Sequence, residues 1–155
     1  HSWHLLGERE QEVFAGLSVF RGGFARAAAQ QATGISLREL MGLVNKSLLN
    51  RAPTGRFQVH ELLRQYARGK LDASPDAGHA ARDRHCAYYV AALREWGKDF
   101  RGRHQQAALA EMDVEVGNAR AAWVRLLARA ASCCAPGSAL APPPPPAPAP
   151  TTARL

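Results

Sequence analysis

Cysteine is scarce in this sequence: Cys86, Cys133 and Cys134 are the only three in 155 residues. Two are adjacent and the third is distant, which excludes a disulfide framework and a cysteine-based metal site. A reducing, cytoplasmic setting is the simplest expectation. No apolar run approaches the roughly 20 residues that a membrane-spanning helix needs, and no signal-peptide segment opens the chain, so a soluble protein is expected. There is no G-x-x-x-x-G-K-S/T loop and no apolar strand ending in paired acids, so nothing here cradles a triphosphate and its magnesium. Gly22-Gly23 lacks the Lys-Ser/Thr that would have to follow and reads as a turn. No serine or cysteine sits in a recognisable nucleophile turn, and His4, His60, His79, His85 and His104 fall on different elements. His85 and Cys86 are neighbours on a helix and so point in different directions. An enzyme and a metal site are both excluded as expectations.

What is present is positive charge: 20 Lys and Arg against 13 Asp and Glu, a formal net of +7. That balance favours an anionic partner, whether nucleic acid, nucleotide phosphate or an acidic protein face, without choosing among them. Composition divides the chain into residues 1–72, 80–131 and 132–155. The last section holds APPPPPAPAP, Ala141 to Pro150, which cannot form a helix and is expected to be disordered or polyproline II. The chain begins with His1 rather than methionine, and an excerpt from a longer chain is the expectation.

Residues 1–72 read as short helices closed by a hairpin. In GEREQEVFAGLSVF, the residues Val13, Phe14, Leu17 and Phe20 form an apolar helix face, with Gly7 as N-cap and Glu8 and Glu10 in the first turn. FARAAAQQAT predicts a second helix ended by Gly34. Ser36 and Glu39 have capping-box spacing, bracketed by Ile35 and Leu40 as a staple. The buried face of that third helix is expected to be Leu37, Leu40, Met41, Val44 and Leu48. SLLNRAPTGRFQVH then predicts a strand, a turn around Pro53 and Gly55, and a returning strand. The fold class is therefore mainly α: a winged helix-turn-helix with a small two-stranded β wing, followed by an α-hairpin. The hairpin helices, RDRHCAYYVAALREW and QQAALAEMDVEVGNARAAWVRLLARA, are separated by KDFRGRH. Tyr89, Leu93 and Trp96 mark the packing face of the first, and Leu109, Met112, Val116, Ala119 and Trp123 that of the second. One pair suggests the opening of a helical repeat array, although no second copy is visible.

A winged helix invites a DNA reading, and base readout needs outward Arg, Lys, Asn or Gln on the recognition helix. The exposed set of SLRELMGLVNK is expected to be Ser36, Arg38, Glu39, Gly42, Asn45 and Lys46. One arginine, a neighbouring glutamate and a mid-helix glycine speak against direct, specific DNA binding. The basic residues gather instead at the wing and following helix, as Arg51, Arg56, Arg64, Arg68 and Lys70. They suit contact with phosphate backbone rather than with bases.

Taken in order, SWHLLGEREQEVFAGLSVFRGGF, LMGLVNKSLL and GRFQVHELLRQYARGKL resemble the winged-helix part of STAND-class signalling ATPases, the NB-ARC, MalT and AfsR relatives. RHCAYYVAALREW and EVGNARAAW resemble the tetratricopeptide-like helices that follow in large bacterial members. The likeness covers roughly residues 2 to 130 and is most specific in GRFQVHELLRQYA. It implies that Val59, His60 and Glu61 stand where that family has a methionine-histidine-aspartate motif. Val59 is then the apolar anchor, His60 the sensor that contacts the ADP β-phosphate, and Glu61 the acid opening the next helix. It further implies an upstream NTPase domain as partner and supplier of ADP or ATP, and self-association on activation. A protein or small-ligand signal read by the repeats is implied as well. Glu61 departs from the usual aspartate, and Gly117 and Ala119 depart from the usual residues around Asn118. At its plainest, the histidine is a helix cap at a strand-helix junction.

Overall fold

The computed structural model describes residues 2–99 and 105–133. The proline-rich tail, and the part of the KDFRGRH connector from residue 100 to 104, lie outside the described residues. By internal contacts the chain falls into two compact units, His1–His85 and Cys86–Leu155.

The first unit opens with a 3-10 turn, Ser2–Leu5, and then runs α1 (Glu8–Leu17), β1 (Gly23–Phe24), α2 (Arg26–Thr33) and α3 (Leu37–Asn45). It continues with β2 (Leu49–Arg51), β3 (Phe57–Val59), α4 (Glu61–Asp72) and the start of α5 (Pro75–Asp99). This order is that of a winged helix-turn-helix. The sheet is antiparallel with order β1-β3-β2, so it has three strands and not the two expected. The added strand is the pair Gly23–Phe24, which sits opposite Gln58 and Phe57. Gly22, at φ 82, makes the turn that lets the chain enter it.

Period-two burial fixes the register of β3, with Phe57 and Val59 inward and Gln58 outward. Val13, Phe14, Leu17 and Phe20 are all buried, as their spacing predicts. They meet Phe24, Ile35, Leu40, Leu43 and Leu49 in one core, where Phe20 stacks on Phe24 at 4.5 Å and Phe24 on Phe57 at 6.3 Å. α2 ends at Gly34, in the left-handed region at φ 73. The α3 capping box forms, with Glu39 accepting from the Ser36 amide at 2.7 Å and Ser36 Oγ accepting from the Glu39 amide at 3.3 Å. The α3 face differs from expectation: Leu40, Leu43 and Leu48 are buried, while Leu37 is 42% exposed and Met41 and Val44 are half-buried. Leu37 opens the helix before the core begins, and the turn closing it brings Leu48 back onto Leu43. In that turn the Leu48 amide donates to the Leu43 carbonyl at 3.0 Å and the Ser47 amide to Val44 at 2.9 Å. This is a Schellman closure with Ser47, at φ 57, in the position usually given to glycine.

In the second unit, the later part of α5 pairs with α6 (Gln105–Cys133). Cys86, Tyr89, Trp96, Ala108, Ala119 and Ala122 are buried, together with Glu115 and Asn118. The Tyr89 hydroxyl and the Asn118 amide each donate to one Glu115 oxygen at 2.8 Å, so the buried carboxylate is satisfied. Trp96 Nε1 donates to Glu111 at 3.1 Å, and Cys86 Sγ lies 3.3 Å from the Ala122 carbonyl. On α5, Tyr89 and Trp96 are buried and Leu93 half-buried. On α6 the expected face is corrected: Leu109, Val116 and Trp123 are 47%, 50% and 55% exposed, and only Ala119 of the five is buried. The helix turns a seam of alanines and polar groups inward instead.

Candidate functional site

Strand β3 hands over to α4 at the residues singled out by the sequence. Val59 is buried at the strand end. His60 follows in extended conformation, φ −61 and ψ 139, as the N-cap of α4. Its ring is exposed, and Nδ1 accepts from the Leu62 amide at a long 3.4 Å. A nitrogen that accepts carries no hydrogen, so the neutral ring holds its N–H on Nε2. Nε2 has no partner among the described residues. The site thus offers one surface N–H donor beside the free amides of a helix N-terminus, an arrangement that suits an anion.

Glu61, next in sequence, is already engaged. Its two oxygens take Arg64 Nε at 2.8 Å and Nη2 at 2.6 Å, and Gln65 Nε2 adds a bond at 2.9 Å. The Arg64 fork, followed by Gln65, holds the Glu61 carboxyl down at about 2, and in return Glu61 pushes the Arg64 guanidinium up. The Arg64 side chain is 9% exposed, and its Nη1 lies 3.5 Å from the carbonyl of Ser18, the C-cap of α1. The pair therefore ties the first turn of α4 to the negative end of α1. An acid bound in this way adds little net negative charge beside His60.

The basic group is smaller than the sequence suggested. Arg64 is buried in its ion pair, and Arg56 Nη2 donates to the Gly23 carbonyl at 2.8 Å, fastening the wing to β1. Lys70 sits over the Trp3 and Tyr66 rings at 5.8 and 5.4 Å. Arg51 is exposed, and Arg68 lies 3.8 Å from Asp72. Sequence reading missed Arg21, whose guanidinium is pulled down by partial desolvation and then by the charges of Arg64 and Arg68. Nothing local marks Arg21, because its neighbours come from α4.

On α3, Ser36, Arg38, Asn45 and Lys46 are exposed, whereas Glu39 and Gly42 are half-buried. Lys46 Nζ is held by Glu10 at 2.6 and 2.7 Å, which lowers the Glu10 carboxyl. Glu39 is held down first by the Ser36 amide, and Arg9 lies 3.4 Å from it. Arg38 has no ion pair among the described residues. No group of three or more His, Cys, Asp and Glu able to hold a metal occurs among the described residues, and Cys86 is a buried free thiol.

Fold and site thus define a winged helix-turn-helix, with an N-capping histidine at the wing's end, followed by an α-hairpin. Over 129 residues the chain is 34% identical to "Putative HTH-type transcriptional regulator Mb0914c" of Mycobacterium bovis and to the protein of the same description, Rv0890c, of Mycobacterium tuberculosis. Each match covers 77% of this chain and 14% of the relative, so the chain spans about one seventh of the curated proteins it matches. No family model and no solved structure matches it. No helix among the described residues is long and apolar enough to cross a membrane.

Proposed function

We propose that this chain serves transcription regulation as the winged-helix module of a larger regulator, and that the module docks and switches rather than reads bases. One observation carries the proposal: His60 is exposed at the N-terminus of α4, with Nδ1 occupied by the helix and Nε2 unpartnered among the described residues. That suits contact with a phosphate supplied by a neighbouring domain, which for the STAND-like reading is the β-phosphate of ADP in an upstream NTPase core. The residues fit one such contact and no more. His60 donates, Val59 anchors the strand end, and Glu61 is kept from repelling the phosphate by Arg64. ADP or ATP, when bound to such a core, would supply the anion whose presence or absence favours one docked arrangement. The signal for exchange is a protein or small ligand on the helical region, and self-association is the output.

In a polypeptide that joins this region to a P-loop NTPase core, His60→Ala is expected to lower retained ADP and to reduce the monomer fraction. Unchanged retention and an unchanged monomer fraction remove His60 from the mechanism.

A second reading, direct DNA binding by the winged helix, is favoured by the names of the relatives and by the net charge of +7. Arg38, Asn45 and Arg51 are its exposed candidates. The side chains of α3 favour docking, because Lys46 is bound to Glu10 and a half-exposed leucine opens the helix. Titration of the chain against duplex DNA separates the two readings.

A further inference from the structure

Helix α6 carries two faces, of which the second is unaccounted for. One face packs within its own unit through Ala108, Glu115, Asn118, Ala119 and Ala122. The other presents Leu109, Val116, Trp123 and Leu127, each 47% to 55% exposed. The first three recur every seven residues, so successive members lie about 20° apart and about 10.5 Å further along the helix. Such a stripe is a packing seam.

The charges beside the seam say what covers it. Asp113 and Arg120 flank the same edge, also seven residues apart. Both are exposed, and neither has a partner among the described residues. At about 10.5 Å of axial separation they cannot pair with each other. Acids lie in the N-terminal half of the helix (Glu111, Asp113 and Glu115) and arginines in the C-terminal half (Arg120, Arg125 and Arg129).

We propose that α6 pairs antiparallel with α6 of a second copy of this chain about a twofold axis near Val116. Val116 then meets its counterpart, Leu109 faces Trp123 of the second copy, and Asp113 faces Arg120 in both directions. The numbers close on one centre, since 109 and 123 are symmetric about 116 and 113 and 120 about a point half a residue away. An antiparallel pair sets like edges of two seams together, which joins Asp113 to Arg120. A parallel pair in register leaves both without an opposite charge. The contact is isologous, so every substitution acts twice. One helix per copy makes a small interface, and the dimer is a weak one. It needs no nucleotide and stands apart from the role of His60.

Sedimentation of the 155-residue chain over about 5 to 200 µM should show a concentration-dependent monomer–dimer equilibrium. Asp113→Arg and Arg120→Asp alone should each raise the dissociation constant at least tenfold, through like charges placed opposite twice. Combining the two should restore it to within about threefold of the parent. Far-UV circular dichroism of each variant checks helix content, and recovery by the combined variant cannot come from a chain that has lost its fold. A chain that stays monomeric throughout, as it would if α6 were made for a further helix, overturns the proposal. A dimer indifferent to the single reversals, or one that the combined variant fails to restore, overturns it too.

Discussion

His60 does two jobs through two atoms, and the atoms can be separated. Nδ1 caps α4 by accepting from Leu62, which leaves the ring hydrogen to Nε2, without a partner among the described residues. Alanine removes both functions, and asparagine keeps a capping oxygen while losing the ring. Urea unfolding should therefore show His60→Ala destabilised by about 0.5–1 kcal/mol, with His60→Asn close to the parent. Both should fail equally in any phosphate contact. A large loss of stability in the asparagine variant would mean that the ring is held by something other than the cap. Glu61 gives a pH signature with a definite sign. Its folded carboxyl lies at about 2 against an ordinary 4.5, because Arg64 and then Gln65 hydrogen-bond the ionised form. Folding therefore favours the ionised group. That contribution is complete above pH 4.5 and fades as pH falls toward 2. The stability difference between the parent and Glu61→Gln should shrink over that window, and a gap independent of pH would contradict the ion pair. Glu10 and Glu39 are lowered as well and add to the acid sensitivity of the parent, but they are common to both proteins in this comparison.

At the scale of elements, two glycines predict opposite outcomes. A Cβ on Gly16 of α1 would stand 2.8 Å from Thr33 Cγ2 on α2. Thr33 cannot turn away freely, since its hydroxyl donates to the Ala29 carbonyl and accepts from the Ile35 amide. Gly16→Ala should cost about 1–2 kcal/mol in thermal or urea unfolding, because overpacking outweighs the helix propensity gained. Gly42 of α3 has nothing within 4 Å of its Cβ position, and Gly42→Ala should stabilise by about 0.5–1 kcal/mol. Ser47 holds a left-handed conformation that glycine adopts without strain, and Ser47→Gly should stabilise the α3 closure by about 1 kcal/mol. Two helix starts and one helix end were legible because caps are local: Gly7, Ser36 with Glu39, and Gly34 at the end of α2 all lie where their chemistry suggests. The end of α3 was not, because serine gives no signal for a left-handed turn. Strand β1 was missed because Gly22-Gly23 reads as a turn, and its pairing comes from β3, 33 to 35 residues away. The α6 face was misread for a physical reason. Alanine and satisfied polar groups can line a close helix seam, so the strongest apolar periodicity marked the outer stripe instead of the buried one.

At the scale of the whole molecule, charge and fold pull in different directions. A net of +7 over the whole chain matches a nucleic-acid partner, as do the names of the mycobacterial relatives. Yet Arg56, Arg64, Lys46 and Lys70 are each occupied within the fold, by a carbonyl, a carboxylate or an aromatic ring. The candidate site was legible from VHE because a histidine at a strand-helix junction is a local feature. The engagement of its neighbours was not, since Arg64 and Ser18 meet only through the packing of α4 on α1. In the docking role we propose, the groups left exposed, His60 and Arg51 among them, serve phosphate contact rather than base recognition. Fluorescence anisotropy of the intact chain against duplex DNA, across about 50 to 200 mM salt, tests this most directly. Our account predicts weak binding, alike on unrelated sequences and largely lost at the upper salt concentration. Tight, sequence-selective binding at that concentration, weakened selectively by Arg38→Ala, would contradict it.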